Sequence, residues 1–290
     1  MTIGALVSHR AGPGRSRARA MVAAATAIIV LFAAAGCGSS QSSSNPGTAT
    51  GGDVLQKVLK NGVVNVADCL SFAPFGFYDA NGKPEGYDVD IANLMAQQLG
   101  VKLNLFDTTA DNRIPNLQTG KADVVICNFT ENPTRAKQIN FTDPYVIAGE
   151  VLLVKKNSTI NGVADLAGKT VAVVTGSTNA QIIQQANPNA KVQSYPTSAA
   201  AVQAVKSGQA DAMIEDSNFQ TYQAKLDPTL RVTHDSLVPL EYNGFGVAQG
   251  QFDWLQWQNQ FIYWLNHTGQ NRALYQKWFG VEPVWPVPNE

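Results

Sequence analysis

Polar side chains follow two short aliphatic segments, residues 123–126 and 212–214, which their composition predicts to be buried strands. These side chains are Cys127, Asn128 and Thr130 after the first segment, and Glu215 and Asp216 after the second. Ligands of open α/β sheets bind beyond the carboxyl ends of the strands. Two such strand ends facing each other would therefore form a polar cleft.

Arginine is scarce beyond residue 36, where 13 lysines accompany only four arginines. Two of the four, Arg113 and Arg135, flank the first predicted strand end in the sequence. A guanidinium group forms a planar fork that suits a carboxylate, whereas lysine offers a point charge. These two arginines are therefore candidate anion-binding residues. Spacing alone equally allows Arg135 to be a solvated helix residue.

The segments that must position these residues alternate between aliphatic runs and helical periodicity. Strands are predicted at 63–67, 123–126, 151–154, 170–174 and 212–214, and helices at 88–99, 178–185, 198–206 and 217–225. Such alternation is typical of an α/β fold with largely parallel sheets. Because the pattern restarts after residue 154, and residues 117–124 are echoed by 205–212, we expect two α/β lobes.

Composition excludes several classes of protein. The 290-residue chain is 44% hydrophobic and 15% charged, with a net charge of −1. This composition provides enough apolar residues for a folded core. It provides no basic excess for phosphate contacts, so nucleic acid is not an expected partner.

The N-terminal segment indicates export. Residues 1–36 contain four arginines and no acid, and their apolar run ends directly before Cys37. The small residues before Cys37 resemble the lipobox of bacterial lipoproteins, in which the cysteine is acylated and becomes the new N-terminus. We predict a lipoprotein signal peptide at 1–36 and a flexible tether at 37–52. A plain secretory signal is the alternative. The chain beyond residue 36 has 17 basic and 22 acidic residues, a net charge near −5.

Several segments together resemble the polar amino-acid-binding family of bacterial extracellular solute-binding proteins, the family 3 receptors of ABC importers. The signature segment begins with GYDVDI at residues 86–91 and continues to Leu99. The other matching segments, in the family's order, are 72–75, 113–117, 130–135, 141–145 and 275–280. The resemblance spans about residues 53–280 of the chain.

This resemblance implies a two-lobed periplasmic-binding-protein fold of type II, in which the chain crosses twice between the lobes. Lobe one would comprise residues 53–146 and 244–290, and lobe two residues 147–243. The implied molecule is a monomer that binds an amino acid without cofactor or metal. It would lie outside the cell, attached through its N-terminal lipid to the outer face of the membrane or held in the periplasm. Its protein partners would be ABC permease subunits.

The resemblance also assigns roles to individual residues. Arg135 matches the arginine that binds the ligand α-carboxylate, and Thr130 matches the donor beside it. Asn128 matches a position that offers backbone groups, and Phe72 matches an aromatic wall. In lobe two, Asp216 matches the acceptor of the α-ammonium group, and Thr178 matches a second carboxylate donor.

Two further predictions concern the predicted cleft. Cys69 and Cys127 each follow a lobe-one strand, and these strands are neighbours in the fold, so a disulfide is as expected as two apolar thiols lining the pocket. Arg113 matches the arginine that binds the distal carboxylate in family members selective for acidic amino acids. We therefore expect glutamate or aspartate, with glutamine or asparagine as the competitor. The alternative for Arg113 is a surface pair with Asp107 or Asp111.

Enzymatic readings have less support in the sequence. It contains no HExxH, GxSxG or phosphate-loop motif, and His234 and His267 are isolated. We expect a binding protein rather than an enzyme. A few relatives of this fold are dehydratases, and Glu215 would be the general acid in such a reading. A receptor linked to a sensor is a third alternative.

Overall fold

The aliphatic and helical segments form two large β-sheets, each flanked by helices, and one small sheet in the computed structural model, which describes residues 52–234, 237 and 239–284. Residues 1–51, including Cys37 and most of the predicted tether, therefore lie outside the described residues. None of the described helices has both the length and the apolar character needed to cross a membrane.

Lobe one is the part of the chain that forms the first large sheet, its helices and a small three-stranded sheet. Its strands are β1 (Val63–Asp68), β2 (Ser71–Phe72), β3 (Gly76–Tyr78), β4 (Pro84–Glu85), β5 (Lys102–Asp107), β6 (Val124–Thr130), β7 (Asn140–Phe141), β8 (Val146–Ala148) and β14 (Glu241–Val247). Its helices are α1 (Val54–Asn61), α2 (Tyr87–Leu99), α3 (Arg113–Gln118), α7 (Phe252–His267) and α8 (Gln270–Phe279). The large sheet has the order β5-β1-β6-β14-β7, with β8 on β14, and the small sheet has the order β2-β3-β4.

Lobe two contains the second large sheet. Its strands are β9 (Glu150–Lys155), β10 (Thr170–Val174), β11 (Lys191–Tyr195), β12 (Ala212–Asp216) and β13 (Leu230–Val232), in the order β11-β10-β12-β9-β13. Its helices are α4 (Asn179–Ala186), α5 (Ser198–Ser207) and α6 (Ser217–Leu226). The chain enters this sheet at Gly149, between β8 and β9, and leaves it between β13 and β14.

The sheets are less parallel than the sequence predicted. The pairs β1–β5, β1–β6, β10–β11 and β10–β12 are parallel, but β14 runs antiparallel to β6 and β9 antiparallel to β12. Both β9 and β14 follow a crossing between lobes rather than a helical crossover within one sheet. These strands therefore enter from the cleft side of the sheet.

Helix faces and caps follow the sequence pattern. In α2, Ile91, Met95 and Leu99 are buried against the lobe-one sheet, and Gly100 ends the helix with a left-handed φ of 67°. In α7, the buried Trp254 donates its indole N–H to the Asp123 carbonyl at 2.8 Å. The packing of these helices on the sheet thus positions the parallel strands. The carboxyl ends of these strands face the region between the lobes.

Candidate functional site

A cleft lined mainly by polar residues lies between the carboxyl ends of the parallel strands of the two lobes. Lobe one contributes residues at or beyond the carboxyl ends of β1, β5 and β6, and lobe two contributes residues at or beyond those of β10, β11 and β12. Of the residues predicted from sequence, the lining includes Cys69, Phe72, Arg113, Cys127, Asn128, Thr130, Arg135, Thr178, Glu215 and Asp216. This is the position that α/β sheets provide for a ligand.

A disulfide joins Cys69 and Cys127 at the floor of the cleft, with a Cα–Cα distance of 5.2 Å. It links the end of β1 to the adjacent strand β6, whose residues pair in parallel. The bond closes a loop of 58 residues, which in the chain-entropy account constrains the unfolded chain. Both half-cystines line the cleft, so the bridge also forms part of the ligand-facing surface.

Two buried guanidinium groups converge on one side of the cleft. The Cζ atoms of Arg113 and Arg135 lie 4.0 and 5.0 Å from the centre of the Phe129 ring, which gives both groups an aromatic support. Both also donate to one lobe-two acceptor, the Gly176 carbonyl, at 3.3 and 2.9 Å. Arg113 is 4% exposed and is therefore not the surface ion pair that the sequence left open.

The convergence concentrates positive charge where water is largely excluded. Burial and repulsion from Arg135 lower the pKa of Arg113, and burial lowers the pKa of Arg135 to about 10. Arg113 donates to the Ala110 and Cys127 carbonyls and Arg135 to the Thr130 carbonyl, so neutral acceptors hold both groups in position. Such a pair is suited to binding one anion.

Buried acids occupy the lobe-two side of the cleft. Burial raises the pKa of Glu215 to about 8 and that of Asp216 to about 7. Glu150, which lies opposite Asp216 in the β9–β12 pairing, has its pKa raised by burial and by the charge of Asp216. These raised values mean that the acids lack a nearby cation strong enough to offset their desolvation. The arrangement is suited to a ligand cation.

Asn128 bridges the two lobes through its side chain rather than its backbone. Its left-handed φ of 40° turns the N–H inward, toward the Asp88 carboxylate at 3.2 Å and the Tyr145 hydroxyl at 3.0 Å. The backbone N–H is thus bonded within lobe one. The side-chain amide instead donates to Asp216 across the cleft.

The other family-matched residues also border the cleft. The Thr130 hydroxyl donates to Glu241 at 3.2 Å, and Thr178 precedes α4, where it lies beside Asn179. Phe72 forms an aromatic wall: its ring stacks on Phe219 of lobe two at a centroid distance of 4.4 Å.

Sequence reasoning missed three contributions to the site. Gly176 was not singled out, since a single glycine after a strand carries no charge pattern. Glu150 was missed because it is the first residue of β9, whose predicted strand began only at residue 151, and attention went to the residues after the strands. The hydroxyl residues after β5 and β11, Thr108 and Thr197, also line the cleft; recognising 102–107 and 191–195 as parallel strands would have found them.

Comparison with known proteins assigns the family. Residues 64–281 match the bacterial extracellular solute-binding proteins, family 3. The chain belongs to this family. The expected family and the two-lobed fold are thereby confirmed, and the cleft of this solute-binding protein lies where the two lobes meet.

Several curated relatives resemble the chain over most of its length. The glutamine-binding protein of Geobacillus stearothermophilus is 37% identical over 207 residues, which are 70% of this chain and 79% of the relative. The ABC transporter glutamine-binding protein GlnH of Bacillus subtilis is 32% identical, over 71% of this chain and 76% of the relative. The L-cystine-binding protein TcyJ of Escherichia coli K12 is 32% identical, over 79% of this chain and 87% of the relative.

Two solved structures give a similar result. The ancestral amino-acid-binding protein AncCDT-1, described as a precursor of cyclohexadienyl dehydratase, is 38% identical with a TM-score of 0.74, covering 78% of this chain and 99% of its own. A mutant of ArgBP from T. maritima is 34% identical with the same TM-score and the same coverage. These relatives all carry the names of binding proteins, and AncCDT-1 is described as the precursor of an enzyme.

Proposed function

We propose that this solute-binding protein captures a polar amino acid between its lobes and delivers it to an ABC importer. The observation that carries the proposal is the separation of charge in the cleft. Two guanidinium groups converge on the lobe-one side, and buried acids face them from lobe two. A zwitterion carries the complementary charges at the right ends, and it can hold the lobes together because each lobe binds one end.

The α-carboxylate is expected at Arg113 and Arg135, and the α-ammonium group at Asp216. Guanidinium groups form charge-assisted, bidentate hydrogen bonds with carboxylates. Both arginines donate to the Gly176 carbonyl, so their donor groups point to one place. A carboxylate oxygen next to this carbonyl would accept hydrogen bonds from both arginines. In this orientation, Arg113 assists Arg135 instead of binding a distal carboxylate.

The ligand side chain is expected to be a neutral amide, with glutamine favoured. With Arg113 and Arg135 both assigned to the α-carboxylate, the described cleft lining offers no further lysine or arginine to bind a second ligand carboxylate. Hydroxyl groups supply further hydrogen-bonding partners in the lining, and these suit the donor and acceptor of an amide; they belong to Ser71, Thr108, Thr109, Ser177 and Thr197. The names of two relatives, both glutamine-binding proteins, support the same choice.

Calorimetric titration against glutamine, glutamate, aspartate, arginine and cystine tests this proposal, after any bound ligand has been removed by unfolding and refolding. We expect glutamine to bind most tightly. Tighter binding of glutamate or aspartate would restore the preference that the sequence suggested, and tighter binding of arginine or cystine would also contradict the choice of glutamine.

The variant Arg113→Met separates the two roles of this arginine. If Arg113 contacts the α-carboxylate, the variant weakens the binding of glutamine and of glutamate by the same factor, because every amino acid carries that group. A selective loss of glutamate would instead assign Arg113 to a distal carboxylate. Arg231→Met is the control, because Arg231 donates to the Ser158 and Ile160 carbonyls and does not line the cleft.

A cleft enzyme of the dehydratase type is the second candidate, and Glu215 favours it. This carboxyl group lines the cleft, and its pKa of about 8 keeps it protonated at neutral pH, as a general acid requires. Incubation with a cyclohexadienyl substrate would reveal such an activity through the absorbance of an aromatic product. We expect no turnover. Turnover by the wild type that Glu215→Gln abolishes would instead support a dehydratase activity with Glu215 as its general acid.

The tethered location is also part of the proposal. We expect acylation of Cys37, export as a monomer and attachment to the outer face of the membrane, where permease subunits would receive the ligand. Metabolic labelling with a fatty-acid probe should mark the protein, and Cys37→Ser should abolish the label. Labelling that persists in the variant would assign the lipid to another residue, and an unlabelled wild-type protein would indicate a plain secretory signal.

A further inference from the structure

Three carboxyl groups meet at the point where the chain crosses between the lobes. Glu150 is the first residue of β9, Asp216 the last residue of β12 and Glu241 the first residue of β14. One oxygen of each group lies within 4.8 Å of the others. Because β9 and β14 each follow a crossing, this carboxyl cluster joins both crossing strands to the acid proposed to bind the ligand.

Little in the surroundings balances three negative charges. Glu150 is 1% exposed and Asp216 2% exposed. Among the described residues, none of the three forms an ion pair within 4.0 Å with a lysine or arginine. One oxygen of Glu150 is buried without a hydrogen-bond partner.

Neutral groups supply the hydrogen bonds that the cluster receives. Asn128 and Asn243 donate to Asp216, and Thr130 donates to Glu241. Amides and hydroxyls stabilise an anion less than a cation does. Carboxylates held this close repel one another, so the two fully buried members of the cluster, Glu150 and Asp216, share a proton instead of both being ionised.

Other titratable groups also face the cluster. Glu215 adds a further acid on β12, and Tyr275 approaches Asp216 from α8. The nearest cations act from lobe one, Arg113 on Asp216 and Arg135 on Glu241. The proposed function assigns both of these arginines to the ligand carboxylate, whose negative charge would offset theirs. The ligand ammonium group is then the cation that can replace a proton in the cluster.

We infer that binding of the ligand ammonium group at Asp216 expels a proton from the carboxyl cluster, so that amino-acid affinity is coupled to pH. This inference rests on the proposed function, since it needs an amino acid in the cleft. A shared proton and an ammonium group compete for the same negative charge. The affinity should therefore rise as the pH rises and the proton is lost.

The direction of the pKa shifts agrees with this coupling. Burial and the neighbouring acids raise the pKa of Glu150, and burial raises the pKa of Asp216 to about 7. Below that pH, the ligand-free cluster holds a proton that the complex does not. Linkage then gives an affinity that increases about tenfold per pH unit when one proton is released. The dependence should flatten once the ligand-free cluster has lost its proton.

Calorimetry in buffers of different ionisation enthalpy measures the released protons directly. With glutamine as the probe at pH 6, we expect the apparent binding enthalpy to vary with the buffer and to give about one proton released. In Glu150→Gln, the release should fall below that of the wild type and the rise of affinity with pH should begin at a lower pH. Asp216 then has one acidic neighbour fewer, although its own burial still raises its pKa.

Glu131→Gln is the matched control. Burial also raises the pKa of Glu131 to about 7, but this residue lies beside Gly244 and outside both the cluster and the cleft lining. Its replacement should leave the proton count unchanged. If Glu150→Gln and Glu131→Gln reduced the proton release equally, the assignment to the carboxyl cluster would be contradicted. A proton release that only Glu215→Gln abolishes would also contradict it.

The two proposals fail in different ways. If amino acids bind with the same enthalpy in every buffer, or with proton uptake, the coupling is wrong and the proposed function stands. If no amino acid binds at any pH, the proposed function itself is wrong.

Discussion

Arg135→Met and Asp216→Asn should each reduce the affinity for the amino acid by about 30-fold to several thousand-fold. Each change removes a charged partner from one buried end of the ligand, and such truncations typically cost about 2–5 kcal/mol. Methionine keeps an unbranched apolar side chain, and asparagine keeps the size of the acid. Both variants should therefore fold with a melting temperature close to that of the wild type.

Titration calorimetry and thermal melting test this expectation together. Arg231→Met and Asp253→Asn are suitable controls, because Arg231 binds carbonyl groups away from the cleft and Asp253 is exposed at the start of α7. The controls should bind normally. Wild-type affinity in Arg135→Met or Asp216→Asn would show that the family roles do not apply to these residues.

Gly176→Ala should weaken binding without a change at any ligand-contacting side chain. Gly176 has a φ of 84°, and a Cβ atom there would lie 2.6 Å from the backbone nitrogen of Asp111 in lobe one. That contact exists only where the lobes meet. Overpacking of this kind costs about 1–3 kcal/mol, which corresponds to about 5-fold to 150-fold in affinity.

Gly168→Ala provides the control for the backbone cost alone. Gly168 also lies in lobe two with a φ of 74°, but a Cβ atom there meets nothing within 4 Å. Both variants should lose stability because alanine disfavours a left-handed φ, whereas only Gly176→Ala should lose affinity. Equal affinities in the two variants would mean that lobe contact at Gly176 does not contribute to binding.

The elements of the fold were largely predictable, because local patterns determine them. Helix α5, predicted at 198–206, is observed at Ser198–Ser207, and strand β10 has its predicted bounds, Thr170–Val174. The direction of β9 and β14 was not predictable from these patterns. It depends on which lobe the chain comes from, and that information is not local.

The site was predictable in its residues more than in its geometry. The scarcity of arginine identified Arg113 and Arg135, and the strand ends identified Asp216. That both guanidinium groups converge on the Gly176 carbonyl depends on a contact between residues 41 and 63 positions apart in the chain. This convergence changes the expected role of Arg113, and with it the expected ligand side chain.

A crystal structure of the protein with glutamine tests the central claim most directly. The account predicts the α-carboxylate within about 2.7–2.9 Å of nitrogen atoms from both Arg113 and Arg135, and the ammonium group at a similar distance from Asp216. A ligand bound outside this cleft, or one with its ammonium group directed toward the arginines, would contradict the account.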